Sequence, residues 1–160
     1  MDTQPIDIGS AKPTREQLLA QLMIEQNFLI AIPAGIGAAI IGAVVWAAVV
    51  VETKMELGII AVAVGALVGY AVKLTGKGID PKFGFLGAGC AALGWGLGTI
   101  LSDIGFLANA QNMSFGAALQ SLDIGRLNAL VAAVFQPMDA LFLAIAVYEG
   151  YKFSFRIRRR

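Results

Sequence analysis

Between Phe28 and Val51 the chain runs 24 residues without a charge, FLIAIPAGIGAAIIGAVVWAAVVV, and further long apolar stretches follow within a total of 160 residues. A helix of about 20 apolar residues at roughly 1.5 Å rise each matches a hydrocarbon core about 30 Å thick. This repetition therefore predicts an all-α integral membrane protein. The composition agrees: 58% of residues are hydrophobic and 14% are charged, against about 25% charged in soluble domains. The mean hydropathy is +0.74.

Two absences narrow the chemistry. There is no histidine, which removes the commonest general base, the usual haem and zinc ligand, and the Ser-His and Cys-His nucleophile systems. The single cysteine, Cys90, excludes an intramolecular disulfide and a cysteine-only metal site within one chain. No cofactor and no catalytic residues are expected. The N-terminus, MDTQPIDIGSAKPTREQ, lacks the basic start, short apolar stretch and small-residue cleavage site of a secretory signal. The first apolar segment is therefore expected to persist as an anchor.

The segments divide the chain into an N-terminal arm with an amphipathic interfacial helix (1–27), a membrane domain (28–153) and a basic tail (154–160). Thr14 and Gln17 stand at capping-box spacing ahead of Leu18, Leu19, Leu22 and Met23, which share one helical side. That pattern describes a helix lying on the membrane surface or docking a partner. Four spans are expected, at about 28–51, 57–72, 83–101 and 138–153. Pro33 is a candidate elbow between the surface helix and the first span. The charged turn at Glu52–Glu56 makes spans one and two a tight hairpin.

LTGKGIDPK, at Leu74–Lys82, is a turn by its glycines and Asp80-Pro81. Its Gly76-Lys77-Gly78 lacks the spacing of a phosphate-binding loop and follows no strand. The outer segment, 102–137, is expected to hold short helices, one capped by Ser114. Pro137 disfavours helix at Gln136, so the last span is expected to start near Met138 with Asp139 in its first turn.

Small residues carry the packing signal. The third span has Gly84, Gly87, Gly89, Gly94, Gly96 and Gly98; Cys90, Gly94 and Gly98 form one row at four-residue spacing, and Ala88, Ala92 and Gly96 form a second. The second span offers Ala61, Gly65 and Gly69. Such rows let helix backbones meet, so dispersion and weak Cα hydrogen bonds replace the hydrophobic force that lipid removes. Two rows on one helix are able to serve two neighbours, one of them in another subunit.

Orientation follows from basic residues. Lys12, Arg15, Lys73, Lys77, Lys82, Lys152, Arg156, Arg158, Arg159 and Arg160 fall on one side of a four-span chain. Lys54 and Arg126 fall on the other, with Glu52, Glu56, Asp103, Asp123 and Asp139. Both termini are then expected in the cytoplasm. Arg156, Arg158, Arg159 and Arg160 are expected to attract anionic lipid headgroups rather than nucleic acid. Trp46 and Trp95 near the outer ends, with Tyr70, Tyr148 and Tyr151 near the inner ends, suggest interfacial aromatic belts.

MELGIIAVAVGALVGYAVKLTGKG (Met55–Gly78) and QPMDALFLAIAVYEGYKF (Gln136–Phe153) resemble stretches of small bacterial inner-membrane proteins of four spans and unassigned function. The resemblance covers about a quarter of the chain. It implies the four-span architecture and a bacterial inner-membrane location, and no activity, substrate or cofactor. The Met113–Phe135 segment and the RIRRR tail depart from it.

These residues point to a non-catalytic packing, scaffolding or accessory subunit. Its expected partners are the lipid bilayer and either further copies of itself or other membrane-protein subunits. The alternative is a small channel or transporter component with Asp139 near the pathway, since ionisable groups at membrane depth mark such paths. An intramembrane enzyme would have to draw on Asp103, Asp123, Asp139 and Ser114, and no spacing ties any two of them together.

Overall fold

The computed structural model describes residues 14–54, 58–121, 125 and 137–156. Glu56, Asp123, Arg126, the apolar 126–136 segment and the tail residues Arg158, Arg159 and Arg160 lie outside them. The described residues form helices α1 (Arg15–Ile24), α2 (Phe28–Thr53), α3 (Gly58–Gly76), α4 (Pro81–Ala110), α5 (Phe115–Gln120) and α6 (Pro137–Phe153), with no strand among them.

Local chemistry sets several of these boundaries. The Thr14 hydroxyl accepts from the Gln17 amide at 3.4 Å, and the Thr14 amide donates to the Gln17 side chain at 3.0 Å, completing the capping box of α1. Asn27 caps α2 by accepting from the Ile30 amide at 3.2 Å, and Ser114 caps α5 through the Ala117 amide at 3.3 Å. The elbow ahead of the first long helix lies at this Asn27 cap. Pro33 sits inside a continuous α2; it costs the backbone bond to the Leu29 carbonyl, a loss that helices packed in a membrane tolerate without ending.

Three helices, α2, α3 and α4, are long and apolar enough to cross a membrane. α6 is shorter, at 17 residues, and Asp139 and Glu149 enclose only the nine uncharged residues Ala140–Tyr148. α4 continues through 102–110, past the end of its charge-free stretch. Buried Ser102, Gly105 and Ala108 keep the three-residue spacing of its inward face beyond Asp103, so the helix goes on packing where its apolar run stops.

The bundle is apolar outside and small-residued inside. Its core holds Ala31, Ala38, Ala39, Ala43, Ala61, Ala91 and Ala146 with Val50, Val64, Val68 and Val72, whereas Leu29, Ile41, Val44, Ile59, Phe85 and Leu93 are exposed. In water so large an apolar surface would drive aggregation. In lipid it is the solvated face, and the chain is a helical membrane protein.

α3 and α4 form the central pair, flanked by α2 on one side and α6 on the other; α2 and α6 do not meet among the described residues. Ascending neighbours such as Gly35 with Cys90, Gly94 with Ala39 and Gly105 with Val51 show α2 and α4 running parallel. Gly65 against Ala146 and Gly69 against Gly150 show the same for α3 and α6.

One end of the bundle is tied by polar contacts. The Asn27 amide donates to the Gly76 carbonyl at 2.9 Å, and the Arg156 amide to Gly78 at 2.9 Å. The Gln26 side chain accepts from the Ile79 and Asp80 amides at 3.2 and 3.4 Å. The beginning of α2, the α3–α4 turn and the end of α6 therefore share one rim. α5 covers the other end of α4, where Ala118 packs with Ile104 and Ala108.

Trp46 and Trp95 correct the aromatic-belt expectation. Both are buried, in a cluster with Val50, Ile60, Ala61, Val64 and Ala146. Gly98 leaves room for the Trp46 ring, so the indoles fill the core and do not face a headgroup layer. Tyr70 and Tyr148 are exposed near the tied rim.

Candidate functional site

The closest helix approaches lie where α3, α4 and α6 meet. A methyl group on Gly65 would stand 2.5 Å from the Ala146 carbonyl oxygen, and one on Gly69 would stand 2.8 Å from Phe153 Cβ and 2.9 Å from the Gly150 oxygen. On α4, a methyl on Gly87 would strike Ser154 Oγ and approach the Gly150 oxygen to 2.5 Å. Glycine is required at these positions because the facing atoms are backbone, which cannot rotate aside. Ser154 donates its own hydroxyl to the Gly150 carbonyl at 2.6 Å, so its polar hydrogen is not stranded in the seam.

This seam contains the expected Gly65 and Gly69 and adjoins buried Ala61. Its third side is a row on α6, Ala146, Gly150 and Ser154, that the sequence reading did not single out. The four-residue spacing is legible in the sequence, but Tyr148, Glu149, Tyr151 and Lys152 are interleaved with it and mask it.

The Cys90, Gly94 and Gly98 row packs against α2. A methyl on Gly94 would lie 3.1 Å from the Ala39 oxygen, and one on Gly98 would lie 2.9 Å from the Trp46 ring. Cys90 is buried, with Sγ 3.0 Å from a methyl position on Gly35. Gly35 on α2 belongs to the same contact, whereas Gly42 on α2 faces Val64 of α3 at 3.1 Å.

The Ala88, Ala92 and Gly96 row points elsewhere. All three are half-buried, and a methyl on Gly96, as on neighbouring Gly89, meets nothing within 4 Å. At 100° per residue these positions lie roughly opposite Gly87, Gly94 and Gly98. Ile36, Phe85, Leu86, Gly89, Cys90 and Leu93 line a shallow apolar groove of about 440 Å³ beside them.

The Gly76-Lys77-Gly78 turn has a packing explanation. A methyl on Gly76 would stand 2.5 Å from the Phe83 ring, and one on Gly78 would overlap it. Phe83 is fully buried and meets Phe28 edge-on at 5.3 Å. Both glycines therefore seat an aromatic ring.

The remaining polar residues are dispersed. Asp139 is buried in the first turn of α6, while Asp103 is half-buried on α4. Counting along the antiparallel α4 and α6 from the Gly87–Gly150 contact brings Asp139 level with Gly98. Trp95 Nε1 is buried with no hydrogen-bond partner among the described residues. No group of three or more Cys, Asp or Glu able to hold a metal ion occurs among them either. Arg156 lies at the tied rim, where its guanidinium bonds Glu25 at 2.5 Å.

Comparison of the chain with protein-family models, with curated proteins and with solved structures finds no match.

Proposed function

We propose that this protein is a non-catalytic assembly subunit of a bacterial inner membrane, crossing it four times with both termini in the cytoplasm. It acts by packing against further copies of itself or other membrane subunits. The observation that carries the reading is the division of small residues on α4. One side, with Gly87, Gly94 and Gly98, is filled by α2 and α6, while on the other Gly89 and Gly96, next to half-buried Ala88 and Ala92, have open space at their methyl positions among the described residues.

Small residues facing lipid gain nothing from the bilayer, whereas between helices they permit close backbone approach. The four-crossing count is supported by α6, which lies alongside α3 and α4 and ends at the rim where α2 begins. At about 1.5 Å per residue its 17 residues reach roughly 25 Å.

The test is the particle mass after extraction into a lipid-retaining polymer. The expected result is a defined oligomer or a stoichiometric complex. Paired Gly89→Leu and Gly96→Leu substitutions should reduce it to a single folded chain. A wild-type particle holding one chain and no partner overturns the proposal.

A second reading, a small channel or transporter component, draws on the burial of Asp139. It requires ion flux through liposomes carrying the purified protein, abolished by Asp139→Asn.

A further inference from the structure

At the tied rim a pocket of about 290 Å³ is lined by Lys73, Lys152, Phe153, Phe155 and Arg156. Three cations thus converge from two neighbouring helices and the residues just after α6. Lys152 is held by Glu149 at 3.4 Å, and Arg156 by Glu25 at 2.5 Å. Lys73 has no ion pair among the described residues, and its Nζ lies 5.1 Å from the centre of the Tyr70 ring. Two carboxylates therefore face three fixed positive charges, and Lys77 adds a fourth near Glu25. Glu149 and Glu25 offset two of these charges, and the pocket keeps an excess of positive charge centred on Lys73.

Its remaining walls are apolar, from Phe153 and Phe155. Tyr70 and Tyr148, one turn deeper on α3 and α6, are exposed, as is Leu74. Lys152 Nζ lies 5.3 Å from the Tyr148 ring centre. Lysines drawn over exposed tyrosine rings beside an apolar surface mark the depth at which headgroups give way to acyl chains. A cationic floor with aromatic walls at that depth matches a phosphate attached to a hydrocarbon tail better than a freely soluble anion, which gains nothing from the phenylalanines.

We propose that this pocket binds the phosphate of an anionic phospholipid headgroup. Lys73, Lys152 and Arg156 neutralise the phosphate, and Phe153 and Phe155 pack against the glycerol and upper chain. Glu149 and Glu25 hold two of the cations in place, so the site is formed before lipid arrives. It differs from the diffuse attraction of the terminal arginines in having fixed donors from defined helices.

The experiment reconstitutes the full chain into nanodiscs of mixed phosphatidylglycerol and phosphatidylcholine, releases it, and counts retained lipids by native mass spectrometry. Phosphatidylglycerol should be retained over phosphatidylcholine. Lys73→Gln, which breaks no ion pair, should lower that retention about fivefold, the equivalent of about 1 kcal/mol for one basic residue near the membrane surface. Lys73→Arg should preserve it. Lys82→Gln serves as the control, because Lys82 sits on the same rim outside the pocket and pairs with Asp80 at 3.2 Å. Equal retention of the neutral lipid, or an equal loss in the Lys82 variant, overturns the site in favour of a general surface charge. Displacement of the lipid by millimolar inorganic phosphate overturns it in favour of a soluble anion.

Discussion

Gly87 of α4 and Gly150 of α6 meet backbone to backbone. A methyl group on Gly150 would stand 2.7 Å from the Gly87 carbonyl oxygen, and one on Gly87 would stand 2.5 Å from the Gly150 oxygen. The contact is reciprocal, so neither helix is able to accept a side chain without moving the other. It also couples α6, the least apolar of the four long helices, to the central pair.

Gly150→Val should therefore destabilise the fold by about 3 kcal/mol, the upper part of the usual range for overpacking. Reversible unfolding in mixed micelles measures this. No cost, or a small gain, is what helix propensity alone gives for replacing glycine, and it would show that the two backbones are not in contact.

The two sides of α4 should respond oppositely to one chemical change. Gly98→Leu drives a side chain into the Trp46 ring, which already lies 2.9 Å from the methyl position, and should cost about 3 kcal/mol. Gly96→Ala places its methyl in open space and should leave stability unchanged or raise it by up to about 1 kcal/mol. Measuring both variants under one unfolding condition checks the assignment of faces. Similar losses would mean that Gly96 also packs within the chain.

The features legible in the sequence were those decided locally. The Thr14–Gln17 capping box, the Ser114 cap and the long apolar helix from Phe28 each depend on a few adjacent residues. What escaped depends on neighbours remote in sequence. Asp103 ends the apolar stretch of α4 but not its buried face, because Gly105 still packs on Val51. Trp46 resembles an interfacial anchor until Gly98, a residue of another helix, provides a cavity for its ring. The row Ala146, Gly150 and Ser154 becomes apparent once Gly65 and Gly87 are seen opposite it.

Lys54 ends α2 in the left-handed region, at φ 54°, with its amide bonded to the Val50 carbonyl at 2.9 Å. A side chain there is strained by about 1–2 kcal/mol, a penalty glycine avoids. Lys54→Gly should raise stability by about 1 kcal/mol, since part of the gain is offset by the greater freedom of glycine in the unfolded chain. A fall in the unfolding midpoint would show that the lysine side chain has a role at that end which outweighs the strain.

The Arg156 contact predicts a pH dependence. A hydrogen bond from the Arg156 guanidinium, and its charge, hold the Glu25 carboxyl below its ordinary value of 4.5. Because the folded value lies below the unfolded one, the contribution is complete above about pH 4.5 and is lost as the pH falls through the depressed folded value. Glu25→Gln should therefore lower the thermal midpoint at pH 7 by a small amount, the pair being solvent-exposed and screened. Once the pH has fallen below the depressed folded value, the difference between variant and wild type should shrink toward zero. A difference that stays constant between pH 7 and pH 2 assigns the effect to packing of the side chain, because an ionic contact must weaken as Glu25 takes up its proton.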